Sequence, residues 1–301
     1  MSLSNRVGSV EVAAPAKINL GLEILGCRDD GYHEIATILQ AIDLVDEVRL
    51  HPGDRIRTLH RFPGIPDEEN LAIRALLMLR DRFGSHQSAV LELRKAIPAA
   101  AGLGGASADA AAALLAARDF WGLEVGDAEL AVLARELGSD VPFFLRGGTA
   151  LASGRGDNLD PLPSPGLSVI VVTPHVAIAR KTATLYAALR PSDFSDGSRV
   201  AAQADRLRAG LRPDPALLTN SFERPLYALR PELADLVATM RACGAPHVAL
   251  SGAGPSHFAL FPDPAEAGSV ATRLQAALED KALVIATRER SVPVGTGILD
   301  R

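Results

Sequence analysis

Residues 94–107 read Arg94-Lys95-Ala96-Ile97-Pro98-Ala99-Ala100-Ala101-Gly102-Leu103-Gly104-Gly105-Ala106-Ser107, and the alanine-rich run Ala108–Arg118 follows them. A strand is predicted over Ala89–Arg94, Pro98 ends it, three glycines fall within four residues, and from Ala108 the apolar spacing is helical. The order is strand, glycine loop, helix. A glycine loop at a helix N-terminus offers several backbone N–H donors at short range, and the helix dipole favours negative charge, so the fitting ligand is a phosphate. A flexible turn is the alternative for a glycine run by itself; three glycines directly ahead of a long helix favour the cradle.

Two familiar phosphate motifs do not apply. No G-x-x-x-x-G-K-[ST] occurs, and Ser107 stands where G-x-G-x-x-G needs its third glycine. A dinucleotide-dependent oxidoreductase is disfavoured further because several strands precede the loop. Ser107 reads either as a contact to phosphate or Mg²⁺ or as the helix N-cap.

Before the loop, alternating apolar positions over Ser9–Ala13 and Ile18–Leu25, closed by Asp29-Asp30-Gly31, predict antiparallel strands, with another over Glu47–Leu50. A helix is predicted from Asn70 to Phe83, capped by Asp67 and stopped by Gly84. After the loop, helix Asp127–Leu137 is stopped by Gly138, and strand Thr149–Ala152 ends the first half. Pro161-Leu162-Pro163-Ser164-Pro165 reads as an exposed connector, dividing the chain into domains 1–160 and 161–301. Beyond it, strands over Leu167–Thr173, His247–Leu250, His257–Phe261 and Ala282–Thr287 alternate with helices over Lys181–Leu189, Arg199–Leu207, Pro231–Cys243 and Ala265–Leu278, an α+β pattern.

The 301 residues, 48% hydrophobic and 22% charged, suit a two-domain globular protein. A net charge of -5 supplies no general field for nucleic acid or an anionic membrane, so neither is expected as a partner, and an anionic ligand must be held by local groups. Cys27 and Cys243 form no CxxC pair, which argues against a zinc site or a disulfide framework. Asn5, Arg6, Glu11 and Lys17 interrupt every early apolar stretch, so no leader is read and a cytoplasmic location is expected. Monomer and homodimer both stay open.

Several further residues carry candidate chemistry. Lys17 and Asn19 lie two apart in a strand, so both side chains meet the same ligand face. Asp140, between Gly138 and Pro142, is a carboxylate whose plain alternative is a turn hydrogen bond. Tyr32 and His33 follow Asp30-Gly31 and offer stacking and hydrogen bonding, or simple packing. Ser251-Gly252-Ala253-Gly254 reads as a tight turn or as a backbone-lined ligand wall. Arg155-Gly156-Asp157 spells an adhesion tripeptide, set aside as a chance match.

Taken in order, Pro15-Ala16-Lys17-Ile18-Asn19-Leu20, Asp30-Gly31-Tyr32-His33-Glu34, Pro98 to Ala111, Leu137-Gly138-Ser139-Asp140-Val141-Pro142-Phe143-Phe144, Asn220-Ser221-Phe222-Glu223 and Ser251-Gly252-Ala253-Gly254 resemble the GHMP kinase superfamily over nearly the whole chain. The glycine loop marks the superfamily. The first, second and fourth stretches resemble its branch acting on a cytidine-diphosphate-linked methylerythritol in non-mevalonate isoprenoid synthesis. The resemblance implies a ribosomal-protein-S5-like N-terminal domain, a ferredoxin-like C-terminal domain, an active site in the cleft between them, and ATP with Mg²⁺ as cofactors. It implies Asp140 as the catalytic carboxylate, facing the substrate hydroxyl, with Lys17 beside it neutralising charge on the transferring phosphoryl group. It assigns Asn19, Tyr32 and His33 to the cytidine diphosphate substrate, with His33 reading the cytosine. Asn70 and Lys95 match positions lining an adenine pocket, and Pro98, Ala101, Gly102, Leu103, Gly104, Gly105 and Ser107 match the nucleotide loop. No magnesium ligand is assigned.

Phosphoryl transfer relies on positioning and charge neutralisation, which a carboxylate, a lysine and a glycine cradle supply. The chain departs from the family pattern at Ala99, Ala100, Ala101, Ala106 and Ala108, which stand for small or glycine residues and stiffen the loop. Leu39 stands where many relatives carry a phenylalanine against the cytosine. Two rival readings remain at this point. A homoserine- or mevalonate-type GHMP kinase would share the loop but have no use for Tyr32 and His33, and a non-catalytic nucleotide-binding protein would not need both Lys17 and Asp140.

Overall fold

The two strands expected at the N-terminus are one, β1 (Ser9–Cys27), in the computed structural model of the chain, which describes residues 8–60, 66–84, 86–291 and 296–299. It pairs along its length with β2 (His33–His51), and register shifts at Pro15/Ala16, Asn19/Leu22 and Ile24/Gly26 mark bulges. A bulge accommodates Pro15, which has no N–H for the ladder, and each bulge adds local twist. From Ala14 to Ile24 every residue is buried. Alternation therefore fades where the ribbon is covered on both faces, and that is why the sequence pattern breaks it into short pieces.

The first sheet continues with β3 (Arg57–Thr58), β4 (Val90–Arg94), β5 (Thr149–Gly154) and β6 (Asn158–Leu162), and it is joined late in the chain by β11 (Thr296–Leu299). Its order is β11-β1-β2-β4-β3; β5 pairs with the first half of β2 and carries β6, and β3 with β4 is the parallel contact. The second sheet holds β7 (Ser168–Pro174), β8 (Val248–Leu250), β9 (His257–Phe261) and β10 (Ala282–Arg288) in the antiparallel order β10-β7-β9-β8. With helices between β7 and β8 and between β9 and β10, this is a ferredoxin-like β-α-β-β-α-β arrangement.

The helices are α1 (Leu71–Arg82), α2 (Gly105–Phe120), α3 (Asp127–Leu137), α4 (Val141–Arg146), α5 (Lys181–Ala187), α6 (Ser198–Arg208), α7 (Glu223–Leu229), α8 (Glu232–Ala242) and α9 (Pro264–Leu278). Residues 108–117 of α2 are buried throughout, and their small side chains bring the helix backbone close to α1 and the long hairpin. Phe143, Phe144, Leu76 and Trp121 fill the core of this lobe, while Phe261, Leu274 and Met240 fill the core under the second sheet.

Two expectations about local structure need correcting. Asp67 does not cap the first helix: Asn70 does, its Oδ1 accepting from Ala72 N at 3.0 Å, while Asp67 accepts from Thr58 Oγ1 at 2.6 Å. The first two residues of the proline cluster belong to β6, where Pro161 pairs with Ala150 and Leu162 with Thr149 at the sheet edge, a place that tolerates proline.

Candidate active site

Lys17 and Asn19 do point from β1 to one place. Lys17 is 4% exposed, and its Nζ donates to Asn19 Oδ1 at 2.7 Å and lies 4.0 Å from Asp140 Oδ2. Burial pushes the lysine below its ordinary range, with the charge of Asp140 acting against that. Asn19 is itself held on two sides: Oδ1 accepts from Gly252 N at 2.8 Å, and Nδ2 donates to Thr37 Oγ1 at 2.8 Å. The ammonium is thus aimed, not free. Asp140 sits at the N-cap position of α4, yet its side chain makes no capping bond, and 39% of that side chain is exposed. Its carboxylate faces open space beside a buried cation.

The glycine loop passes under this pair. Gly102 (φ +83) and Gly104 (φ +77) both occupy the left-handed region, and space forbids a side chain at either: a Cβ would lie 2.2 Å from Ser251 O and 2.6 Å from Phe144 Cζ. The second glycine run locks onto the first, with Ser251 Oγ donating to Gly102 O at 3.1 Å and Ser256 N to Ala101 O at 3.2 Å. It is a backbone wall. Gly104 caps α2, so Ser107 lies in the first turn of the helix and not at the cap. Ala101 and Leu103 are 2% and 1% exposed, so what they can offer a nucleotide is backbone; Leu103 O already accepts from Lys17 N at 2.9 Å.

Asn70 and Lys95 are engaged elsewhere. The Asn70 amide caps α1, and Lys95 Nζ bonds the carboxylates of both Asp46 and Asp109. Asp46 also accepts from the N–H groups of Ala96 and Ile97, at 2.6 and 2.8 Å, which fixes the chain just ahead of Pro98. Burial pushes Asp109 up to about 7, against the pull of Lys95. These contacts shape the entrance to the loop.

His33 opens β2 and packs its ring 4.7 Å from that of Tyr186, with Phe194 edge-on at 6.1 Å and Phe222 edge-on to Tyr186 at 4.9 Å. Burial holds the imidazole below its usual range, so it is neutral at pH 7. Burial, and then the charge of Asp140, pushes the Tyr186 phenol up, which ties this aromatic surface to the carboxylate electrostatically. Tyr32 is 52% exposed, and the Arg155 guanidinium lies 3.4 Å from its ring centroid, a cation–π contact from within the discarded tripeptide. Leu39, the register partner of Asn19, is 1% exposed and belongs to the core.

Sequence reasoning missed Tyr186 and Lys181, both on α5. Lys181 Nζ donates to Ala100 O at 2.6 Å and to Gly254 O. Burial, and then the charge of Lys17, pushes it down to about 8. Neither residue carried a signal: α5 is short, mostly exposed, and far along the chain from the loop. Among the described residues no three His, Cys, Asp or Glu side chains cluster as a metal site, and no helix is long and apolar enough to cross a membrane.

Known proteins resemble this chain in sequence and in fold. The chain matches the GHMP kinases N terminal domain over residues 70–148 and the GHMP kinases C terminal domain over residues 200–280. It is 40% identical over 269 residues to a 4-diphosphocytidyl-2-C-methyl-D-erythritol kinase of Pelotomaculum thermopropionicum, covering 88% of this chain and 93% of that one. A crystal structure of 4-(cytidine 5'-diphospho)-2C-methyl-D-erythritol kinase superposes with a TM-score of 0.78 at 37% identity, covering 93% of this chain and 98% of the other. A homoserine kinase structure from Cytophaga hutchinsonii superposes with a TM-score of 0.74 at 21% identity, covering 99% of this chain and all of the other, a likeness of fold. With that identity sustained across both lobes, the chain belongs to the GHMP kinases and, among them, to the 4-diphosphocytidyl-2-C-methyl-D-erythritol kinase family.

Proposed function

We propose that the chain transfers the γ-phosphoryl group of ATP to the 2-hydroxyl of 4-diphosphocytidyl-2-C-methyl-D-erythritol, giving the 2-phosphate and ADP, in isoprenoid precursor synthesis. The observation that carries this is the buried Lys17 ammonium, steered by Asn19 to within 4.0 Å of the half-exposed Asp140 carboxylate at the junction of two glycine turns. The names of the relatives support the acceptor.

In this reading the backbone of Gly102–Gly105 and the N-terminus of α2 receive the nucleotide phosphates, with Ser107 beside them. Lys17 neutralises charge gathering on the transferred group. As the acceptor oxygen bonds to phosphorus and the bond to the ADP oxygen breaks, the hydroxyl proton becomes acidic and passes to Asp140. The neutral His33 and the ring of Tyr186 offer the cytosine a hydrogen-bonding edge and a stacking face, with Tyr32 at the rim. Asn19 touches the acceptor from the floor; Asn70 and Lys95 act at the adenine side by shaping α1 and the loop entrance.

A magnesium ion bound with nucleotide phosphates would ask few ligands of the protein, since such ions usually keep several waters. Ser107, in the first turn of α2, and Asp140, beside Lys17, are the residues that would hold it. When bound, the ion supplies charge neutralisation across the phosphates. We take residues 1–160 and 161–301 as the two lobes bounding the cleft, with the end of β6 and the returning strand β11 added to the first, and the cytoplasm as the site of action.

A coupled ADP-release assay with Mg²⁺-ATP tests the reading. Turnover is expected with the cytidyl acceptor and not with homoserine or mevalonate. Turnover with either of those instead would overturn the acceptor, and ATP binding without any turnover would favour the non-catalytic reading.

A further inference from the structure

Lys181 opens α5 and directs its ammonium back between the two glycine turns, onto the carbonyls of Ala100 and Gly254. An ammonium has three N–H donors, so one is left over after these two carbonyls. Ala100 (φ 52) and Arg180 (φ 46), on either side of this contact, are both non-glycine residues in the left-handed region. Such strain persists where the surroundings impose it, and it concentrates at ligand clamps. The charged group acting on Lys181 is Lys17 from β1, which itself lies 4.0 Å from Asp140; Tyr186 follows on its own helix, and the turns Ala100–Gly105 and Ser251–Gly254 carry no titratable side chain. Two partly or wholly buried ammonium groups thus lie near enough to repel, and the half-exposed Asp140 carboxylate stands 4.0 Å from only the first of them, Lys17, in a chain whose net charge is -5. That local excess of positive charge calls for a polyanion.

We propose that Lys181 is a phosphate-binding residue: two of its N–H groups tie the glycine turns together, and the third takes a phosphate oxygen entering between them. The proposal rests on the kinase reading for the identity of the anion, which is either the nucleotide's phosphate chain or the diphosphate of the acceptor. Only the protonated amine binds in this way. With Lys181 pushed down to about 8, affinity holds below that pH and falls as pH rises through it.

The test is calorimetric titration of adenylyl imidodiphosphate with Mg²⁺, and separately of cytidine 5′-diphosphate, into the full chain and its Lys181→Met and Lys181→Arg variants. Titrations run at about pH 7 and about pH 9, either side of the lysine, with thermal midpoints measured without ligand. Lys181→Met is expected to weaken one of the two ligands about ten- to hundred-fold. Loss of the imidodiphosphate assigns Lys181 to the nucleotide; loss of the cytidine diphosphate assigns it to the acceptor. Lys181→Arg, which stays charged, should bind near wild-type strength and lose the alkaline fall. Unchanged affinity for both ligands in Lys181→Met, with only a lower midpoint, would reduce Lys181 to a staple between turns and overturn the proposal. Should Lys181→Met fail to fold, an equal alkaline fall in wild type and Lys181→Arg overturns it alone. Neither titration needs turnover, so an inactive acceptor assay would sink the proposed reaction and leave the result for Lys181 standing.

Discussion

Replacing Asp140 with asparagine keeps the shape of the side chain and removes both its charge and its capacity to take a proton. Because this carboxylate caps nothing and bonds only loosely to Lys17, little of the fold depends on it. We expect Asp140→Asn to lower kcat by about a thousand-fold or more, with ATP affinity nearly unchanged. A rate within a few-fold of wild type would remove Asp140 from catalysis. Lys17 is different in kind, since its ammonium is buried and burial opposes its charge. Lys17→Met should abolish transfer yet raise the thermal midpoint near pH 7, because an apolar chain of similar length fits the site without the desolvation cost. Activity loss together with a lower midpoint would mean that Lys17 holds the fold.

At the level of elements, the interlocked glycine turns separate conformational cost from steric cost. Gly102 and Gly122 both have positive φ (+83 and +62), but a Cβ at Gly102 meets Ser251 O at 2.2 Å, whereas one at Gly122 meets nothing within 4 Å. Gly122→Ala should cost only the left-handed backbone, about 1 kcal/mol, and Gly102→Ala clearly more, with loss of ATP-analogue binding. Equal costs in denaturant titrations would show that the turns are not interlocked. A second test joins α7 to β9, where buried His257 bonds Tyr227 Oη at 2.9 Å. Burial pushes its pKa from 6.5 to about 4. Below pH 6.5 the unfolded chain takes up a proton that the folded chain refuses, so stability present above that pH is lost on acidification toward 4, by about 3 kcal/mol. His257→Gln should flatten that slope in melts across the range; an unaltered slope excludes His257 as its source. The same contrast between elements explains what could be read beforehand. The cradle was legible because glycines and the alanine helix are contiguous in sequence, and Lys17 with Asn19 because strand spacing puts both on one face. The length of β1 and the first half of β2 was not, since burial on both faces erases alternation over residues 14–24 and 37–42. Lys181 and Tyr186 were hidden because only tertiary folding brings α5 to the loop.

Across the whole molecule, the site is also where the two sheets are fastened together. From β1, Leu22 N donates to Thr219 O at 2.8 Å, Leu22 O accepts from Ser221 N at 3.0 Å, and the buried Glu23 carboxylate accepts from Val200 N at 2.7 Å. Near the end of the chain, Arg290 N returns to Ala41 O at 2.8 Å, and β11 pairs with β1. Parting the lobes breaks these buried hydrogen bonds and exposes the apolar surface packed around them, so opening one lobe alone forfeits much of the other's support. The lobes should therefore unfold as one unit. Trp121, the single tryptophan, is 5% exposed in the core of the first lobe, so its fluorescence reports that lobe, while far-ultraviolet circular dichroism reports the helices of both. We expect the two signals to follow one urea transition with a common midpoint, and a Glu23→Gln exchange to lower both together. A fluorescence transition displaced from the dichroism would show that the lobes melt separately; the shared glycine turns would then be a contact between independent halves and not the seam that holds Lys17, Asp140 and Lys181 in register.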